Sequence, residues 1–385
     1  MSSHIEEWEI LDLLTVLVNK SLVIYEEDEN GVGRYRLLET TRQYAYERLL
    51  ESTETEAVRR RHRDFFLRLA EETGVDQFET EHDNLRAALE WCLAEESGAE
   101  SGLRLATALA WFWITHGYNA EGREWMMKAL DRSGDVPAAL RAQTLCLVGR
   151  MTYNQDDYTA ARLLYEESLT LFQKLGDKRG LASVLKELGF LAFAQGDYEQ
   201  AQTLNAAALA SYRGLEDKWG IAGALFHLGH VARMQDNYAA ARSYYEEALA
   251  LNQEVGNEDG IPWVLCDLGH VGRSQGDYNT ARLHYREALV MFQKQGNKLG
   301  FAYSLEGFAS LAAAQGHAER AVRLRGAAEA LREAIGVPLP AVDRAQYDHY
   351  VETARAALGE KTFAAAWAEG RKMTMEEAVA YALNS

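Results

Sequence analysis

The stretch GDKRGLASVLKELGFLAFAQGDYEQAQTLNAAALASYRG, residues 176–214, decides the fold. Gly176-Asp177 predicts a turn. From Lys178 to Gln195 the apolar residues Leu181, Val184, Leu185, Leu188 and Leu191 recur at helical spacing. Gly196-Asp197 breaks that helix. Tyr198 to Arg213 predicts a second one, with Ala201, Leu204, Ala208 and Leu209 on one face. Each helix would be about 25 Å long at 1.5 Å per residue. The pattern then returns: Tyr158, Tyr198, Tyr238 and Tyr278 share one register, as do Gly180, Gly220, Gly260 and Gly300. A fixed period of this size marks a solenoid, in which each helix pair buries its apolar face only against its neighbours.

Within 385 residues and 48% hydrophobic content there are only 4 prolines, which disfavours long linkers. The longest apolar runs, such as Leu105 to Ile114, are too short to span a bilayer. Cys92, Cys146 and Cys266 form neither a metal spacing nor a disulfide framework, so a reducing cytoplasm is expected. A net charge of −18 argues against general nucleic-acid binding. The run Arg59, Arg60, Arg61, His62 and Arg63 reads best as a solvated helix face. The histidines show no His-Glu-x-x-His spacing, and neither a Ser/His/Asp nor a Cys/His arrangement can be argued, so no enzyme activity, cofactor or metal is expected.

Leu188-Gly189, Ala192, Ala201, Asn205 and Ala208 match the spacing of the tetratricopeptide repeat, and Tyr165, Tyr245 and Tyr285 stand at its large aromatic position. Small residues let the paired helices approach and the aromatic fills the space beside them. The unit resembles a long-helix variety of that repeat. The expected fold is all-α: a right-handed tetratricopeptide superhelix over residues 103–336, closed by a helical cap over 337–385. A helical linker covers 53–102. Trp111, Trp113 and Trp125 are expected in the core of the earliest unit.

Residues 1–52 differ. Ile10 to Lys20 predicts a helix, Leu22 to Leu38 a β-hairpin around a polar turn, and Glu39 to Leu50 another helix. Together they make a partial winged helix. LTVLVNKSL (14–22) and RYRLLETTRQYA (34–45) are similar to the winged-helix module of bacterial STAND-type signalling ATPases, and EHDNLRAAL (81–89) resembles the helix that follows it there. That resemblance implies the sensor half of a LuxR-like regulator. No Gly-x-x-x-x-Gly-Lys-Ser/Thr occurs in the chain, so ATP hydrolysis is not carried over.

The same resemblance implies that the first helix of each unit lines a concave groove. Its faces would present Lys186 and Phe190, then Phe226, His230 and Arg233, then Trp263, His270 and Arg273. His230-x-x-Arg233 and His270-x-x-Arg273 each share one helix face. Basic groups among aromatics suit an acidic peptide or protein partner, or a small anionic effector. The alternative is that both histidines satisfy neighbouring helices and both arginines pair with Glu or Asp across repeats. The functional expectation is a non-catalytic sensing module of a signalling or transcription-regulatory protein. Two others stay open: a DNA-binding regulator using Lys20, Arg34, Arg36 and Arg42 on phosphates, against which the acids of the hairpin turn weigh, and a piece of a STAND ATPase whose catalytic domain lies elsewhere.

Overall fold

The computed structural model describes residues 7–27, 33–72, 78–95, 97–132, 134, 136–339 and 341–384. It divides into two compact units, residues 1–65 and 66–385.

The first unit holds α1 (Glu7–Asn19), β1 (Val23–Glu27), β2 (Gly33–Leu37) and α2 (Glu39–Glu51). The strands pair antiparallel, with Val23 opposite Leu37 and Tyr25 opposite Tyr35. The hairpin turn expected at Asn30-Gly31 lies outside the described residues. This unit buries little. Val23 is covered, whereas Ile10, Leu11, Leu13, Val16, Tyr44 and Leu50 are exposed.

In sequence, α3 (Thr55–Glu72) crosses the boundary; the second unit continues with α4 (Phe78–Ala94), α5 (Ala99–His116) and α6 (Asn119–Asp131). Then come the repeated pairs α7 (Ala138–Asn154) with α8 (Tyr158–Leu175), α9 (Lys178–Ala194) with α10 (Tyr198–Gly214), and α11 (Lys218–Met234) with α12 (Tyr238–Glu254). They are followed by α13 (Ile261–Ser274) with α14 (Tyr278–Lys294), and α15 (Lys298–Ala314) with α16 (Ala318–Ala334). After them come α17 (Ala341–Leu358), α18 (Glu360–Lys372) and α19 (Met375–Leu383), in the segment expected to cap the array. The helical superhelix and the hairpin near the N-terminus are as the sequence predicts.

The Gly-Asp turns explain the punctuation. Gly176, Gly196 and Gly276 take left-handed φ of 68°, 81° and 79°, which ends one helix. The following Asp177, Asp197 or Asp277 then caps the next, its Oδ1 accepting from Gly180, Gln200 or Thr280 N–H. The Gln before each Gly has a job too. Arg162, Arg242 and Arg282, on second helices, donate to Gln195, Gln275 and Gln315 one unit on, at 2.7, 2.7 and 3.2 Å.

Inside a unit the fit is tight. Tyr165, Tyr245 and Tyr285 are fully buried. A Cβ built on Gly229 would sit 2.4 Å from the Tyr245 ring. Burying such a ring contributes on the order of 2 kcal/mol. Trp113 is core, but Trp111 is 47% exposed, contrary to expectation. Two residues apart on a helix is about 200° of rotation, so both rings cannot face the same core.

Consecutive first helices, from α5 to α15, pack on one another as well as on their partners, so they form the inner side of the curve. The curve comes round far enough for α15 to meet α5. Ile335 packs on the backbone of Gly117, and Lys298 Nζ stands 5.8 Å from the centre of the Tyr118 ring. Beyond the repeated pairs, α17 reaches back to α9, and Arg344 on it pairs with Asp156.

Candidate functional site

Each first helix carries polar residues toward the next first helix, and a ladder results. Nη1 of Arg150 donates to Oε2 of Glu187 at 2.7 Å. His230 Nε2 lies 2.8 Å from Asp267 Oδ2. Both steps span 37 residues, one unit less one helical turn. Asp267 is wholly buried; Tyr303 donates to its Oδ1 at 3.1 Å and Arg233 Nε stands 3.7 Å away. Burial alone would raise its pKa, but His230 and Arg233 prevail and hold it down to about 2. The ionised carboxylate accepts, so Nε2 of His230 carries the proton.

Other expected residues spread along the same face. Lys186 Nζ is 3.5 Å from Glu187 and lies 5.6 Å from the Trp219 ring. Phe190 stacks among Tyr153 at 5.0 Å and His227 at 4.7 Å, with the Arg150 guanidinium 4.8 Å from its ring. The Phe226 ring lies 4.4 Å from His230. Trp263 is half-buried against Phe292 at 4.8 Å and Tyr303 at 5.7 Å. His270 Nδ1 shares a 2.9 Å hydrogen bond with the Tyr285 hydroxyl. Burial, helped by the Arg233 charge, lowers the His270 pKa to about 3. Burial and the Lys186 charge put His227 well below its usual value. His227 and His270 are therefore neutral, not the pH-tunable contacts that exposed imidazoles would be.

His230 and Arg233 meet Asp267, and His270 meets the Tyr285 hydroxyl, as the pairing alternative expects. Arg273 differs: among the described residues it has no ion pair, and its Nε is buried without an acceptor. The repeat shows why. Residues 187, 227, 267 and 307 occupy one column, filled by Glu, His, Asp and Gly. Where the unit before offers Asp267 to Arg233, this unit offers Gly307 to Arg273. No side chain fits there: a Cβ on Gly307 would lie 2.5 Å from the Tyr285 ring. On the inner helices Glu187 is answered by Arg150 and Lys186, Asp267 by His230 and Arg233, and Glu306 by Arg332 of α16 at 2.7 Å. Arg273 is left over. Among these groups Arg150, Lys186, Arg233, Arg273 and Arg332 outnumber Glu187, Asp267 and Glu306, although the whole chain carries −18.

Asp267, Glu187 and Arg332 were not singled out in the sequence. A usable signal existed: an ionised residue inside an apolar run, such as Cys266-Asp267-Leu268, must find a partner or pay heavily. Among the described residues no group of three or more His, Cys, Asp or Glu could hold a metal ion. Among them, too, no helix is long and apolar enough to cross a membrane. In the first unit Arg36 pairs with Glu26 at 3.2 Å and Arg42 with Glu39 at 2.6 Å.

Comparison with known proteins places these features. The tetratricopeptide-repeat model matches residues 140–214 and 220–294, and the winged helix-turn-helix domain model matches residues 2–50. A Mycobacterium tuberculosis H37Rv protein assigned as an HTH-type transcriptional regulator is 33% identical over 205 residues, 49% of this chain and 23% of that protein. The chain therefore matches under a quarter of that relative's length. Among solved structures, a Rap protein complexed with Competence and Sporulation Factor superposes over 97% of both chains with TM-score 0.65 and 15% identity. A plasmid-borne Rap conjugation regulator in complex with a Phr peptide covers 69% of this chain and 78% of its own, with TM-score 0.51 and 12% identity. At those identities the likeness is one of fold. The chain is a tetratricopeptide-repeat protein with an N-terminal winged helix-turn-helix segment.

Proposed function

We propose that this chain is a non-catalytic sensing module of a transcription-regulatory protein, and that its repeat array takes an acidic peptide or protein segment in the inner groove. The observation that carries the reading is Arg273, a guanidinium beside an aromatic-lined face with no carboxylate partner among the described residues. A partner's Asp or Glu supplies what Gly307 withholds, through the forked hydrogen bonds that guanidinium makes to carboxylate. Lys186 and Arg150, two cations sharing Glu187, extend the attraction, and Phe190, Phe226 and Trp263 give the partner apolar contact. Support for a recognition role comes from the superhelical fold shared with a structure that holds a peptide. Regulation is supported by the mycobacterial relative. DNA is the less favoured partner, because the net charge of −18 opposes phosphate binding.

The test is direct binding. Labelled peptide pools rich in Asp/Glu or in Lys/Arg are titrated against the full chain, alongside Arg273→Ala. The acidic pool should bind, Arg273→Ala should weaken it at least tenfold, and the melting temperature should hold. Equal binding of both pools, or acidic binding unaltered by Arg273→Ala, rules this reading out. Salt-dependent binding of duplex DNA would favour the winged helix as the working surface instead.

A further inference from the structure

The last second helix breaks the rule of the array. Residues 165, 205, 245, 285 and 325 form the large-residue column, and it reads Tyr, Asn, Tyr, Tyr, Arg. A second column, 172, 212, 252, 292 and 332, reads Phe, Tyr, Asn, Phe, Arg. So α16 puts two arginines where the earlier units place mostly aromatic rings. Both are nearly buried, at 9% and 7% exposure. Arg332 has an internal reason: it makes a two-bond fork with Glu306 at 2.7 and 3.0 Å. Arg325 has none. Its Nε is sealed without an acceptor, and its guanidinium lies 4.3 Å from the centre of the Tyr347 ring. The nearby Tyr350 hydroxyl is also buried without a partner.

Arg325 lines a cavity of about 490 Å³ between α15, α16 and α17. Its wall also includes the apolar Val337, Pro338 and Leu339. The acids around it are engaged or solvated: Glu306 by Arg332, Glu329 and Glu333 by Arg371 at 2.6 and 2.5 Å, while Asp348 is exposed. An unpaired buried cation costs several kcal/mol unless something answers it. The space for an answer is present.

We propose that this cavity is a binding site for a single carboxylate carried on an apolar body, with Arg325 as its counter-charge and the 337–339 segment as its apolar wall. One free guanidinium neutralises one charge, and the surrounding Glu and Asp side chains repel a second. That selects a monocarboxylate over phosphate. The source is either a free small acid or the C-terminal carboxylate of a peptide. The proposal rests on Arg325 and does not depend on the reading of Arg273.

The test uses the full chain in calorimetric titrations at neutral pH. The probes are 3-phenylpropionate, its neutral amide 3-phenylpropanamide, inorganic phosphate, and N-acetyl-Ala-Phe as acid and as amide. The acid should bind at least tenfold more tightly than its amide and than phosphate. Arg325→Met, which keeps the stem and removes the charge, should abolish the difference. Leu339→Trp, which fills the cavity and replaces no charged side chain, should weaken the acid tenfold even if Arg325→Met loses helicity. If the dipeptide acid binds more tightly than phenylpropionate, the source is a peptide terminus; the reverse order indicates a free acid. Equal binding of acid and amide, equal binding of phosphate, or indifference to Leu339→Trp overturns the proposal.

Discussion

His230 on α11 and Asp267 on α13 meet at 2.8 Å across two successive units, with the carboxylate entirely out of solvent. This pair, with Arg233 beside it, pins one inner helix to the next. Removing one member leaves the others buried and uncompensated. Asp267→Leu should therefore lower unfolding free energy by about 3 kcal/mol, the usual loss on breaking a buried pair. Urea melts read this directly. A midpoint equal to that of the parent chain would show that the pair adds nothing.

Acid should weaken the fold well before carboxylates protonate. His227 and His270 have folded pKa values far below the unfolded value of about 6.5. For a base depressed in this way, the unfolded chain takes up protons first. Stability is complete above that unfolded value and falls as pH drops, by up to about 1.4 kcal/mol per pH unit per histidine. Asp267 adds its own loss at lower pH, beginning near the unfolded value of about 3.9 and complete below its folded value of about 2. Melting temperature should thus decline from pH 7 to pH 5. His227→Phe, placed beside Phe190, should reduce the slope. A flat profile over that range contradicts the burial of both imidazoles.

Gly229→Leu forces a side chain into a Tyr245 ring that a bare Cβ would already approach to 2.4 Å. Overpacking at such a helix contact should cost about 3 kcal/mol. Thermal melts should fall by many degrees, and Gly189→Leu, against the buried Asn205, should act in the same direction. An unchanged melt would mean that these glycines do not hold the paired helices together.

Glu216 adopts φ of 53° at a turn where other units use glycine. Left-handed backbone costs an ordinary residue about 1–2 kcal/mol, partly offset by the chain entropy glycine loses. Glu216→Gly should stabilise the array by about 0.5 kcal/mol, seen as a higher urea midpoint. A lower midpoint would show that the exposed carboxylate matters more than the backbone.

The repeat was legible because its causes are local: Gly-Asp turns, apolar spacing, and a glycine facing a tyrosine one helix away. The groove was half legible. Spacing put His230 with Arg233 and His270 with Arg273 on one helix face each, and the family resemblance put those faces in the groove. Which of them was spent internally could not be read, since that depends on the column holding Asp267 in one unit and Gly307 in the next. Trp111 and Trp113 stand two residues apart, about 200° round the helix, so the spacing already barred both from one core face; which of them turns inward depends on how the early unit packs. Arg325 was visible as a residue standing where tyrosine recurs. Its meaning needed α17, whose place over α16 comes from long-range packing.

The central claim is that the Arg273 charge recognises an acidic partner. Reversing that charge tests it most directly, by measuring fluorescence anisotropy of labelled acidic and basic peptide pools with the parent chain and with Arg273→Glu. The account predicts that the parent chain prefers the acidic pool and that Arg273→Glu, with helicity retained, loses it by at least tenfold while gaining affinity for the basic pool. Retention of the parent preference by a folded Arg273→Glu chain would contradict it.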